Sequence, residues 1–389
     1  MSILYVLNER SEAAREHSFL LTAVVSTEGL GSSRNWSMAL MKALVITAPE
    51  QASLTEMEKP QISPEDVLIR SRAVGICGSD VELYRGIRPA DYYHYPVIPG
   101  HEWAGEVVAV GERVHNILPG DKVVSEGFLF CGTCRNCRMG LTNLCEAGYD
   151  EIGFTRPGGM AEYVAVPARL VHTLPPDSSL EQAALLEPTA VVVHGFLRAQ
   201  PLAGDTVVVL GDGNIGLLAV QVARLYSPDT LVLLGSRDER LQMGQRLGAT
   251  HTLNVRQNDP QALIDSLTGG RGADLVFEGG NRPTGIEQSI NFARRGGAVI
   301  LEGIAGAGAR LNLESDIFAL KHLAVFGIFG ANAAAWTYAV QIFSAGLLQL
   351  APLISHRFPL GEYQAALDTL VSRQPGTLKV LLVHEGVQK

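Results

Sequence analysis

Charge of one sign never accumulates along this chain. Its 31 Lys and Arg and 40 Asp and Glu leave a formal net charge of −9, and no basic run offers a nucleic-acid surface. Only 18% of the 389 residues are charged while 47% are hydrophobic, so a sizeable core is available and wholesale disorder is excluded. A membrane span is missing too. The one long uncharged stretch, Leu323–Ser355, is interrupted by Gly327, Gly330, Asn332, Gln341, Gly346, Gln349 and Pro352, and reads as a buried strand followed by a helix. No secretory leader is legible: Ser18–Val25 is mostly apolar, but Glu9, Glu12 and Glu16 precede it and no clean small-residue cleavage site comes after it. The expectation is a soluble, cytoplasmic protein with neither a membrane nor a nucleic-acid partner.

Glycine is plentiful by contrast. Most of the 41 sit at the ends of apolar runs, as an α/β chain with tight strand-to-helix turns requires. Residues 1–40 differ from the rest of the chain, with scattered charges and a polar Gly31–Asn35 run, and are expected to form a poorly ordered extension. Regular structure is expected from Met41, with Lys42–Thr47 as a first strand. Short β-rich runs then come between Gly/Pro turns: Asp66–Ala73, Glu102–Val110, Asp121–Ser125 and Ala161–Val166. From Gly195 the rhythm changes. Strands at Thr206–Leu210, Thr230–Leu234, Asp274–Glu278, Ala298–Leu301 and Ala324–Ile328 alternate with helical patterns such as Ile215–Tyr226 and Asp238–Leu247. That alternation means a doubly wound parallel sheet. A helix and the segment Ile354–His384 are then expected to complete the first domain. The expected division is 41–194 with 330–389 for one domain and 195–329 for the other.

Cysteine is scarce, and all five lie in metal-like settings. Cys131, Cys134, Cys137 and Cys145 give C-x2-C-x2-C-x7-C within fifteen residues, enough thiolate for one closed tetrahedral zinc. The surrounding lobe, about 126–150, is too polar to bury itself, so a structural metal would supply its missing core. A disulfide does not suit a cytoplasmic chain. An iron–sulfur cluster would more typically place its fourth cysteine after three residues with proline next, whereas seven intervene here and Glu146 comes next. The fifth, Cys77, lies in Gly75-Ile76-Cys77-Gly78-Ser79-Asp80, ahead of Gly100-His101-Glu102 and Glu187-Pro188. Spacing alone leaves two readings of it: a small buried hydrophobe, or one member of a Cys/His/Glu set with a position open to substrate.

Val207–Leu210 runs directly into Gly211-Asp212-Gly213-Asn214-Ile215-Gly216, with a helix pattern beyond. This is G-x-G-x-x-G in its strand–turn–helix context. The glycines allow a backbone to approach a pyrophosphate that meets the helix N-terminus.

Taken together, from about Met41 to Val383, these motifs resemble the zinc-containing medium-chain dehydrogenase/reductase family, and within it the sorbitol and threonine dehydrogenase branch. His356-Arg357-Phe358-Pro359 matches as well, and the branch rests mainly on Glu187-Pro188. The resemblance implies a GroES-like catalytic domain beside a Rossmann domain, with hydride passing between a secondary alcohol and a nicotinamide dinucleotide. It implies two zinc ions per subunit, with Cys77, His101 and Glu187 on the catalytic one and Glu102 beside it, exchanging with bound water. Asp80 would orient His101 and could also serve as a helix N-cap, since both roles can hold together, and Ser79 would take the alcohol proton. Where the family often carries a relay histidine this chain has Glu82, so the proton would leave by a different group. Arg85, Arg88 and Tyr92-Tyr93-His94-Tyr95 lie where the family lines its substrate cleft; the default is a solvated loop with the aromatics as packing, and the alternative is that the arginines grip an anionic group. Gly235-Ser236-Arg237 occupies the place where NAD-specific sites carry an acidic residue, and resembles NADP-dependent members; Asp238 is read as the N-cap of the next helix. The expected cofactors are zinc and NADP(H), with NAD(H) possible. Apolar Ala324–Ile328, closing the sheet, implies a homodimer or homotetramer. A non-catalytic dinucleotide-binding protein and a zinc-free quinone or enone reductase are the alternatives. Neither has a use for the full set of cysteines and Glu187.

Overall fold

The computed structural model of the chain describes residues 40–372 and 374–384. The expected extension therefore lies outside the described residues, except for Leu40, which opens the first strand. Strands β1 (Leu40–Ala48) and β2 (Gln51–Glu58) form an antiparallel pair. After them come β3 (Asp66–Ile76), β4 (Glu102–Val110), β5 (Lys122–Ser125), β6 (Tyr163–Pro167) and β7 (Val171–Thr173). Next are β8 (Thr206–Leu210), β9 (Thr230–Gly235), β10 (His251–Asn254), β11 (Ala273–Glu278), β12 (Ala293–Leu301) and β13 (Ala324–Gly327). The chain closes on β14 (Ile354–Pro359) and β15 (Lys379–Val383).

Two larger sheets result. In the first the order is β14-β15-β3-β4-β5-β7, with β6 also on β3, so the last strands of the chain return to pair with one of the earliest. In the second the order is β10-β9-β8-β11-β12-β13, and every pairing is parallel. Helices cover both faces of such a sheet, so its central strands have no polar side to show. All five residues of β8 and all six of β9 are buried. The strand order reverses between β8 and β11. The crevice at that reversal, beyond the strands' carboxyl ends, is where open α/β sheets bind ligands.

Three local expectations are corrected. The helix after β9 spans Asp238–Leu247 as expected, but Arg237 is its N-cap and Asp238 lies in its first turn, accepting from Asn254 Nδ2 at 2.7 Å. Asp80 is not an N-cap either; Cys77 holds that position for the helix Gly78–Arg85. The strand ahead of Leu301 begins at Ala293 rather than Ala298. Gly195, where the rhythm of the sequence changes, lies within one continuous helix, Leu186–Ala199. The uncharged stretch 323–355 does fold as a strand and a helix, Ala333–Ser344, and no helix among the described residues is long and apolar enough to cross a membrane.

Candidate active site and metal centres

The catalytic cluster is assembled at the ends of three adjacent strands. β3 delivers Cys77 just past its last residue, β4 begins with Glu102, and β15 begins with Lys379. Register brings Gly75 opposite Glu102 and Ile76 opposite Val380. Glycine at 75 is needed there: a Cβ would sit 2.3 Å from Glu102 Oε2, so the bare backbone makes room for the carboxylate. Ligand atoms of Cys77, His101 and Glu102 all fall within 4.8 Å of one another. Glu187, in the first turn of Leu186–Ala199, is outside that set but close enough for its charge to act on His101.

Charge in this pocket is arranged for a cation. Asp80 Oδ2 accepts from the Cys77 backbone at 2.8 Å, completing a capping box, while its Oδ1 lies 3.6 Å from His101 Nδ1. Burial opposes a proton on His101, but Asp80, helped by Cys77 and Glu187, overcomes it and holds the imidazole well above its ordinary range. Burial also pushes the Glu187 carboxyl up to about 8, with Glu102 and Glu151 adding to it and His101 and Lys379 opposing. Several acids without enough cations, around a soft sulfur and an imidazole, fit a divalent metal such as zinc. Lys379 neutralises part of this excess, donating to Glu102 Oε2 and lying 3.4 Å from the Ile76 carbonyl; both side chains are almost wholly buried. Ser79 Oγ is 3.4 Å from His101 Nε2, and Glu82 sits half-buried one turn further along the same helix.

The four-cysteine lobe is a second donor set. Sulfur atoms of Cys131, Cys134, Cys137 and Cys145 lie within 4.8 Å of one another. Backbone amides point at them: Thr133 and Cys134 at Cys131, Cys137 at Cys134, and Cys131 at Cys145. Those amides, that of Thr133 first, draw the Cys131 thiol down to about 6, toward the thiolate a metal requires.

The dinucleotide loop lies at the reversal point. Gly211 takes φ +113°, and a Cβ on Gly216 would meet the Gly211 carbonyl at 1.8 Å, so loop and helix touch backbone to backbone. Gly213 caps the helix Asn214–Arg224, and a Cβ there would meet nothing within 4 Å, leaving that side of the turn open. Asn214 Oδ1 is buried without a partner. Free amides of a first helical turn, an open side and an orphaned acceptor fit a pyrophosphate and its ribose. Past β9, the amides of Ser236 and Arg237 both donate to Asp212 Oδ2, at 2.7 and 2.8 Å.

Sequence reasoning missed a third group beside the metal site. Arg88 donates to Tyr149 Oη at 3.0 Å, lies 4.0 Å from Glu151 Oε2 and stacks its guanidinium 3.9 Å over Phe154, whose ring is 4.8 Å from that of His101. Tyr92, Phe128 and Phe329 close around Tyr149 edge-on or tilted. The one signal in the sequence is an acid two residues after a tyrosine, which is too common to single out.

Known proteins carry the same plan. Residues 63–176 match the alcohol dehydrogenase GroES-like domain and residues 214–345 match the zinc-binding dehydrogenase family. The chain is 36% identical over 357 residues to an erythritol/L-threitol dehydrogenase of Mycolicibacterium smegmatis, covering 88% of this chain and 97% of that one. The chain belongs to the zinc-containing alcohol dehydrogenase family. An L-threonine 3-dehydrogenase of Bacillus subtilis is 35% identical, covering 85% of this chain and 95% of its own length. A zinc-binding dehydrogenase of Sinorhizobium meliloti, solved bound to NADP, superposes with a TM-score of 0.81 at 31% identity, covering 89% of this chain and 99% of that one. The two sheets are thus the GroES-like and Rossmann halves of a zinc-dependent, NAD(P)-linked alcohol dehydrogenase acting on CH–OH groups. Two donor sets could hold a metal ion, the four-cysteine lobe and the Cys77/His101/Glu102 cluster.

Proposed function

We propose that this alcohol dehydrogenase interconverts a secondary hydroxyl of a small polyol or amino alcohol lacking a phosphate or carboxylate and the corresponding ketone, using NADP(H) in preference to NAD(H). The observation that carries the substrate reading is Arg88. Its charge is already answered by Glu151 and Tyr149, and its face is covered by Phe154, so a phosphate or carboxylate finds this cation already claimed. The relative that acts on erythritol and L-threitol is consistent with this.

Cys77 and His101 would hold the catalytic zinc, with Glu187 and Glu102 sharing the third protein position. Cys131, Cys134, Cys137 and Cys145 would hold the structural ion. When bound, the zinc supplies Lewis acidity to a substrate oxygen and the nicotinamide accepts or returns the hydride. Ser79 takes the hydroxyl proton, Asp80 fixes the imidazole of His101, and Glu82 is the route by which the proton leaves. Gly211, Gly213, Asn214, Ile215 and Gly216 cradle the pyrophosphate. At the adenosine end Gly235 withholds a carboxylate, while the Ser236 hydroxyl and Arg237 guanidinium offer donors to a 2′-phosphate.

The catalytic half comprises 41–194 and 330–389, and the nucleotide half 195–329. Subunits join edge to edge through β13 into a dimer or tetramer. β13 is the outermost strand of its sheet, with Leu320, 71% exposed, four positions ahead of it in the chain, and such an edge would otherwise invite aggregation. Five free thiols suit a reducing, cytoplasmic setting. The test is steady-state kinetics over polyols, amino alcohols, sugar phosphates and simple secondary alcohols, with each cofactor. A sugar phosphate as the best substrate would overturn the substrate reading, and a higher kcat/KM with NAD would overturn the cofactor reading.

A further inference from the structure

The residue after the first glycine of the nucleotide loop is an aspartate, and its position is unusual in what it displaces. Asp212 is 6% exposed. The loop is tied to the end of β9 by Gly211, whose amide donates to the Leu234 carbonyl at 2.9 Å. That link brings the Asp212 side chain against Gly235: a Cβ on residue 235 would lie 2.5 Å from Asp212 Cβ and 2.8 Å from its Oδ2. The carboxylate therefore fills the volume that a side chain at 235 would need. Oδ2 takes the amides of both Ser236 and Arg237. Oδ1 lies 3.8 Å from Arg237 Nη1 and 4.0 Å from Arg240 Nη1.

We propose that Asp212 is a specificity-determining residue for the adenosine end of the cofactor: a carboxylate supplied by the glycine-rich loop in place of the one absent from position 235. It consumes the two backbone donors of the 236–237 turn and part of the Arg237 charge, all of which a 2′-phosphate would otherwise use. Its own negative charge would also oppose a phosphate held by Arg237, because like charges in a partly buried setting repel more strongly than in water. Affinity for the 2′-phosphate is thereby held down without being abolished, and the balance between NADP and NAD is set by residue 212 as well as by 235. This rests on the reading of Arg237 as the phosphate's partner.

A second consequence concerns Gly235. Placing an aspartate there, the obvious way to favour NAD, collides with Asp212 and disorders the turn. The same change is tolerated only when residue 212 is made small.

The experiment uses 2′,5′-ADP and 5′-AMP as ligands, titrated calorimetrically into the zinc-loaded protein, so that no turnover is needed. Asp212→Asn keeps the shape and an acceptor for the two amides while removing the charge. It should tighten 2′,5′-ADP by about tenfold and leave 5′-AMP within about threefold. Arg237→Ala added to it should abolish the gain. Asp212→Ser, smaller but still an acceptor, is the second variant should the first fold poorly. Gly235→Asp alone should weaken both ligands, and Gly235→Asp with Asp212→Ala should recover 5′-AMP. An unchanged ratio of the two ligands in both Asp212 variants overturns the proposal, as does an equal change in both. Arg237→Ala in the wild-type background separates the two ideas. If it leaves 2′,5′-ADP binding unmoved while Asp212→Asn still shifts the ratio, the NADP reading fails and the role of Asp212 stands.

Discussion

Lys379→Met asks the most of this account, because it removes one charge and almost no volume. The methionine keeps the unbranched stem in its slot, so the cost is electrostatic rather than a cavity. Glu102 then stays buried with its cation gone, since the Lys379 ammonium is its partner and both side chains are at most 6% exposed. Breaking a buried pair by removing one member costs about 3–5 kcal/mol. Urea unfolding at pH 7 and fixed concentration, on protein stripped of its catalytic zinc so that no metal stands in for the lost ammonium, should show a deficit of that size. Adding Glu102→Gln should return most of the loss, giving a coupling of about 2 kcal/mol or more. A deficit below about 1 kcal/mol at pH 7, or a double variant no better than the single one, would refute the reasoning.

Acid sensitivity should have a source at His384. Burial, against the opposing carbonyl of Gly159, depresses it to about 4. A histidine buried neutral binds fewer protons folded than unfolded, so stability is lost as pH falls from about 6.5 toward 4, by roughly 3 kcal/mol. His384→Leu should flatten that part of a thermal-stability profile, and an unchanged profile would remove this residue from the account. Ser79→Ala should lower kcat about a hundredfold or more while leaving cofactor binding intact, and a variant within threefold of wild type would show that another group takes the proton. Gly75→Ala forces a Cβ onto Glu102 Oε2, so it should lower both activity and catalytic-zinc retention on dialysis; wild-type behaviour would mean that the carboxylate moves freely. Sedimentation at micromolar concentration should show a dimer or tetramer, and Leu320→Glu should weaken it.

What the sequence revealed was local. Four cysteines within fifteen residues, and three glycines between an apolar strand and a helix, carry their geometry in their spacing. The parallel sheet was equally legible, because strands buried on both faces read as runs such as Val207–Leu210. What stayed hidden depends on distance. Glu102 and Lys379 are 277 positions apart, and nothing local in either segment marks the pair. Asp212 looked like a loop residue until the return of the chain 24 positions later put two amides on it. Arg88 looked solvated or anion-binding, because the acid and tyrosine that occupy it come from 61 to 63 positions away. The misread caps have a shared cause: at Cys77 and Arg237 the helix begins on a residue whose side chain is a poor cap, and the nearby aspartates Asp80 and Asp238 drew the assignment to themselves.

The central claim is two zinc sites of different kind in one chain, and elemental analysis of chelator-free protein tests it most directly. Wild type should carry close to two zinc per chain. Cys77→Ser should carry about one and keep its fold without turnover, while Cys134→Ser should lose the other ion and fold poorly, because a structural site couples metal to folding. Iron in place of zinc, or a single zinc per chain with full activity, would contradict the account.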